Sequence, residues 1–157
     1  MYHWQIRKLF SGKYMCEPGD IILIDKFVDD AGKTNTQHSF VVLSVEAGKI
    51  QGIDYKMVLS LMSSFRGKSE EYKTKKLSYW WNIYIDATNT DVPNGNKEEG
   101  FIKGNQLYYF TIGPEECNVI GSVTIEVWEK LNYIIKKLDK MDKKDNKNRL
   151  IQNINNL

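Results

Sequence analysis

Of the 157 residues in this chain, few are suited to chemistry, and His38 is the best placed of them. It stands where a polar loop meets an apolar run, within a ligand's reach. Histidine changes charge near neutral pH, so one at a loop foot can shuttle protons; it can equally pack against the loop or hydrogen-bond it. Gln106 carries amide donors and an acceptor, suited either to reading a nucleobase edge or to a buried hydrogen bond. Tyr79, Trp80, Trp81, Tyr84, Tyr108 and Tyr109 offer faces on which bases stack, although strand alternation turns about half of such residues inward. Lys68, Lys73, Lys75 and Lys76 form either a solvated face or a set of phosphate contacts. Cys16 and Cys117 are too few for a disulfide framework and lack metal-ligand spacing. With only His3 and His38 to join them, neither a metal centre nor a cofactor is expected.

These residues must be positioned by β-structure. Pro18-Gly19-Asp20-Ile21-Ile22-Leu23-Ile24-Asp25 and His38-Ser39-Phe40-Val41-Val42-Leu43-Ser44 read as two strands. Their Ile, Val and Leu side chains favour a pleated, buried surface. Between them Asp29 to Gln37 has the Asp/Gly/Asn/Thr chemistry of a solvated loop. Strands are expected at about 20–27, 38–46, 48–54, 57–64, 77–85, 101–112 and 117–120. Residues 65–76 read as a basic polar connection, and residues 91–97 as a turn cluster. Residues 1–16 are aromatic and basic without one clear period, leaving a short helix or an edge strand open. One helix closes the domain over about 123–140, where Val123, Val127, Leu131, Ile134, Ile135 and Leu138 form an apolar stripe. Residues 139–157 read as a polar tail, within which Leu150, Ile151, Ile154 and Leu157 fit a second short helical face.

The order of these pieces resembles the MazF/PemK-like family of toxin endoribonucleases. Its members pair a Gly-Asp-hydrophobic strand with a long loop and a second apolar strand. Leu59-Ser60-Leu61-Met62-Ser63-Ser64 is similar to the family's third strand, which ends in the catalytic Thr or Ser. The run Gly100 to Phe110 is similar to its late strand carrying a glutamine, and Val119-Ile120-Gly121-Ser122-Val123-Thr124 to the approach to its final helix. The resemblance spans about residues 17–138, and His38-Ser39 stands where the family has Arg-Pro. It implies an SH3-like small barrel with a C-terminal helix, mostly β, in one domain over residues 1–157. It also implies metal-independent cleavage of single-stranded RNA, a homodimer whose groove holds the RNA, and a cognate antitoxin that blocks the groove. Carried over by position, His38 takes the place of the family arginine, and Ser63 or Ser64 that of the hydroxyl. Histidine shuttles protons better than arginine but clamps phosphate less well, and Arg66 is near enough in sequence to restore that charge. Lys68 and Gln106 complete the expected substrate contacts.

Composition is compatible with this reading without requiring it. The chain is 41% hydrophobic and 27% charged, ordinary for a globular domain large enough to bury a core. Its net charge of +2 means that any nucleic-acid site must be a local patch. No apolar run approaches 18 residues and no leader follows Met1, so a cytoplasmic protein with no membrane span is expected. The alternative function is a non-catalytic barrel of the same fold that binds RNA or a host or phage protein.

Overall fold

A computed structural model describes residues 15–93, 98–145 and 150–155, with side chains left undescribed over 142–145. The expectations for residues 1–14, for Asn94–Lys97 of the turn cluster and for Leu157 lie outside these residues. Among the described residues no helix is long and apolar enough to cross a membrane.

The first strand, β1 (Asp20–Ile24), is launched by a tight turn in which the Asp20 amide donates to Glu17 O at 3.1 Å. Pro18 suits the second position of that turn, and Gly19 takes the third with φ of 94°, as a type II turn demands. The strands that follow are β2 (Phe27–Val28), β3 (Thr34–Asn35), β4 (His38–Ser44), β5 (Gly48–Ile50), β6 (Ile53–Tyr55) and β7 (Met57–Ser64). After helix α1 (Glu70–Ser78) come β8 (Asn82–Ile85), β9 (Thr90–Asp91), β10 (Gly100–Lys103), β11 (Gln106–Phe110) and β12 (Asn118–Val123). Helix α2 (Ile125–Asp145) and β13 (Ile151–Asn155) end the described chain.

Among the described residues nine strands share one sheet. Its path runs β8-β10-β7-β4-β1-β12-β9, with β11 and then β13 also reached from β7. β8 and β9 lie at opposite ends of that path, yet only residues 86–89 separate them in the chain. The sheet therefore curls until its ends nearly meet, giving a barrel-shaped sheet with a C-terminal helix. The Thr90 hydroxyl donates to Asp86 O at 2.7 Å across this closing turn. β7 is long enough to serve two partners: Met57–Leu59 pair with β11, and Met62–Ser64 pair with β10.

Period-2 alternation sorts the apolar residues onto two faces, both buried. Ile21, Val41, Leu107 and Tyr109 face α2, which contributes Val127, Leu131, Ile134 and Leu138. Ile22, Phe40, Val42, Leu59, Leu61, Tyr108 and Phe110 form the other layer, closed by Phe27 and Cys16. Burial on both faces explains why β1 and β4 read as continuous apolar runs.

Several elements differ from the sequence reading. The supposed polar connection at 65–76 gives way from Glu70 to α1, which runs on to Ser78 and is capped by Ser69, whose hydroxyl accepts from the Tyr72 amide at 3.1 Å. This helix buries no residue, so it has no apolar stripe to betray it. The aromatic strand shrinks to Asn82–Ile85, because Tyr79, Trp80 and Trp81 make the turn out of α1. The C-terminal tail is also structured. The closing helix continues to Asp145, and Ile151–Asn155 pair in parallel with β11 rather than forming a helical face. Asn155 then grips the long loop: its Oδ1 accepts from the Val28 amide at 2.7 Å, and its Nδ2 donates to Val28 O at 3.1 Å. That loop is itself folded, with β2 and β3 paired around an Asp29 turn.

Candidate functional site

At one end of the barrel the foot of β4 and the end of β7 open onto a cleft of about 520 Å³. β4 and β7 are antiparallel with Phe40 opposite Leu61. Extending that register by two residues puts His38 opposite Ser63, on the same side as the Phe40–Leu61 pair. His38, Ser63, Ser64 and Arg66 all line the cleft, which is walled by Leu23, Met62 and Ile85. Gly100 makes the close strand approach possible here, since a Cβ at that position would collide with the Ser63 carbonyl.

The His38 ring does two things at once. It packs edge-on against Phe27, with centroids 5.2 Å apart, which ties it to the second core layer. Its Nδ1–H donates to Thr36 O at 2.9 Å. A carbonyl oxygen only accepts, so the neutral ring carries its proton on Nδ1 and its lone pair on Nε2. That is the tautomer a general base requires.

Two carboxylates that the sequence reading did not single out also line the cleft, Glu98 and Glu99. Glu98 bridges an expected substrate contact and an expected catalytic hydroxyl: Arg66 Nη1 lies 3.0 Å from its Oε1, and the Ser64 hydroxyl donates to its Oε2 at 2.9 Å. The same Ser64 oxygen accepts from the Arg66 amide at 2.9 Å, which closes a small ring of contacts. Glu99 turns toward α1 and β8. Lys73 Nζ donates to its two oxygens at 2.7 and 2.8 Å, and the Tyr84 hydroxyl donates at 2.7 Å. The Lys73 and Tyr84 hydrogen bonds hold the Glu99 carboxyl below its usual range. In return the Glu99 hydrogen bond raises Lys73 and pushes the Tyr84 hydroxyl up to about 12. Arg66 and Lys73 thus meet two opposite charges, so the cleft is near neutral.

Two expected contacts lie elsewhere. Lys68 is exposed beyond the turn, its Nζ 5.1 Å from the centroid of the Tyr72 ring. Gln106 is buried in β11, where its Oε1 accepts from the Tyr108 hydroxyl at 3.1 Å and from Asn153 Nδ2 at 3.4 Å. Its amide thereby helps to seat β13, the second of the two roles open to it in the sequence. Among the described residues no three His, Cys, Asp or Glu side chains converge as metal ligands would.

Fold and site together define a class: a small, mostly-β barrel with an open polar cleft where its strands end. No family model matches the chain, and no curated protein matches it by sequence. The likeness to the MazF/PemK family therefore rests on the quoted motifs alone.

Proposed function

We propose that this barrel cleaves single-stranded RNA at the cleft, without a metal ion, as a toxin of the MazF/PemK kind. The observation that carries the reading is the convergence of His38, Ser63, Ser64 and Arg66 on one open cleft. His38 Nε2 takes the proton of a ribose 2′-hydroxyl, and the freed oxygen attacks the adjacent phosphorus. The 5′-oxygen leaves and takes its proton from water in the open cleft. Arg66 and the serine hydroxyls donate to the charged phosphoryl oxygens as the transition state forms. On this reading a second copy of the chain completes the RNA groove, and a cognate antitoxin occupies it when the toxin is silent.

The test is incubation of the purified protein with mixed single-stranded RNA in EDTA, followed by end mapping. New 5′-hydroxyl ends opposite 2′,3′-cyclic phosphates are expected at selected sites. RNA left intact by excess protein removes the nuclease reading.

One observation favours a second reading. Glu98 already occupies Arg66 and Ser64, and with Glu99 it removes the positive character a polyanion seeks. A non-catalytic barrel that binds a host or phage protein at this cleft fits that neutrality. Retention of such a partner by protein that leaves RNA intact would support it.

A further inference from the structure

The two cysteines are 101 positions apart in the chain, yet their sulfur atoms meet. Cys16 Sγ lies 2.9 Å from Cys117 Sγ, closer than the roughly 3.5–4.0 Å at which unbonded heavy atoms settle. Met57 Sδ caps the pair, 3.6 Å from Cys16 Sγ and 3.5 Å from Cys117 Sγ. Backbone contacts hold both residues in place. The Cys16 amide donates to Pro114 O at 3.1 Å, and the Cys117 thiol reaches Gly113 O at 3.5 Å. Cys16 is buried in the second core layer, whereas Cys117 is half-buried at the head of β12. One sulfur can therefore meet a reagent from solvent while the other waits behind it.

We infer that Cys16 and Cys117 are a modification site: an intramolecular dithiol that a hydroperoxide converts to a disulfide. The Cys117 thiolate attacks one peroxide oxygen, becoming a sulfenic acid, and the displaced hydroxide takes a proton to leave as water. The Cys16 sulfur then attacks Cys117 Sγ, and the sulfenic oxygen departs as a second water. Both sulfurs lose one electron and both peroxide oxygens gain one, so two thiols and one hydrogen peroxide give one disulfide and two waters.

Three sulfurs in contact would also suit a soft metal ion, but the surroundings oppose it. The hydrogen bond shared with Cys16, in which the neutral thiol is the donor that ionisation would lose, burial, and the Glu115 and Asp20 carboxylates all push the Cys117 thiol up. A metal site here needs buried thiolates, whereas a disulfide is neutral and apolar. The same environment keeps the attacking thiolate scarce, so oxidation needs excess peroxide. The bond would tie the segment ahead of β1 to the start of β12, closing a loop that holds most of the barrel. This inference holds whether or not the cleft cuts RNA.

The experiment treats the full chain with excess hydrogen peroxide, quenches it, denatures it and alkylates any remaining thiol before intact mass and peptide mapping. The expected product is lighter by two hydrogens, takes up no alkylating agent and yields one cross-linked peptide pair joining Cys16 to Cys117. Dithiothreitol should reverse it, and the thermal midpoint of the oxidised chain should rise by about 5–10 °C. In Cys16→Ser, Cys117 should instead gain oxygen as a sulfinic acid. Two alkylated thiols in the treated wild-type chain overturn the inference. So does oxygen added to Cys117 beside a free Cys16, or a disulfide joining two chains.

Discussion

Glu98 and Glu99 are neighbours in sequence, line the same cleft and are both paired with a cation, but they belong to different kinds of structure. Glu98 meets Arg66 in an ion pair whose side chains are 42% and 81% exposed. An exposed pair of this type contributes little stability, because water competes for both charges and two long side chains must be held still. Glu99 is 40% exposed but its Lys73 partner only 26%, and Tyr84 adds a hydroxyl from another element. Three groups from α1, β8 and the approach to β10 are locked together there. The outer lip of the cleft is built to exchange partners, and the inner wall is built to hold. A ligand seeking the lip's donors needs to displace only Glu98.

The largest expected effect tests whether chemistry belongs to the lip side. His38→Ala should lower RNA cleavage by about 10²–10⁴, the usual range for a lost general base, while RNA affinity stays nearly intact. His38→Arg is the sharper variant, since it restores the donor fork of the family residue. If only the arginine variant cuts RNA, the natural protein is a binder, and the exchangeable lip serves recognition alone.

The inner wall should answer in stability rather than rate. Tyr84→Phe removes one hydroxyl from Glu99 and nothing from the lip. A loss of about 0.5–1.5 kcal/mol in denaturant unfolding is expected, with cleavage unchanged. A variant as stable as wild type would mean that the wall is no firmer than the lip.

Acid and alkali should loosen the same wall from opposite sides. Glu99 is held below its usual range in the folded chain, so its contribution is full above that range and fades as pH falls through the folded value. Tyr84 is raised from 10.0 to about 12, so its contribution is full below pH 10.0 and is lost as pH climbs toward about 12. Lys73 is raised as well and moves in the same sense. Thermal midpoints against pH should therefore fall more steeply on both limbs for wild type than for Glu99→Gln. Parallel curves would show that Glu99 is not the hub.

The contrast between lip and wall also separates what was readable in the sequence from what was not. The barrel strands and the α2 stripe were legible because burial writes a period into adjacent residues. His38, Ser63, Ser64 and Arg66 were gathered by the family resemblance, and the antiparallel register of β4 and β7 brings the start of one strand and the end of the other, with the turn that follows it, to one cleft. The wall was not, since Lys73, Tyr84 and Glu99 come from three separate elements and no local pattern links them. α1 lacked an apolar face, though Ser69-Glu70-Glu71 followed by Lys75-Lys76 carries the cap and charge order of a short helix. β13 was hidden for a topological reason. Its partner is β11, parallel and reached only after β12 and α2, and a parallel ladder leaves no hairpin signal in the chain. The role of Gln106 was hidden by the same gap, because Asn153, whose Nδ2 donates to its Oε1, sits on that strand.

The smallest effect on the fold is the most telling for the lip. Glu98→Gln keeps the shape of the side chain and can still accept from Ser64, but it releases Arg66 from an ion pair. Stability should change by no more than about 0.5 kcal/mol, as for other exposed pairs. RNA binding should respond more, because the variant adds one net positive charge beside the cleft and frees a guanidinium for phosphate. Affinity should rise several-fold at low salt, and the plot of log affinity against log salt should steepen by about one phosphate contact, near 0.7 for a single strand. The two readings of the cleft then part. If Glu98 guards a phosphate site, tighter binding comes with faster cleavage at limiting RNA. If Glu98 is itself part of a protein-docking surface, the variant should lose that partner, and its RNA affinity should keep the wild-type salt slope.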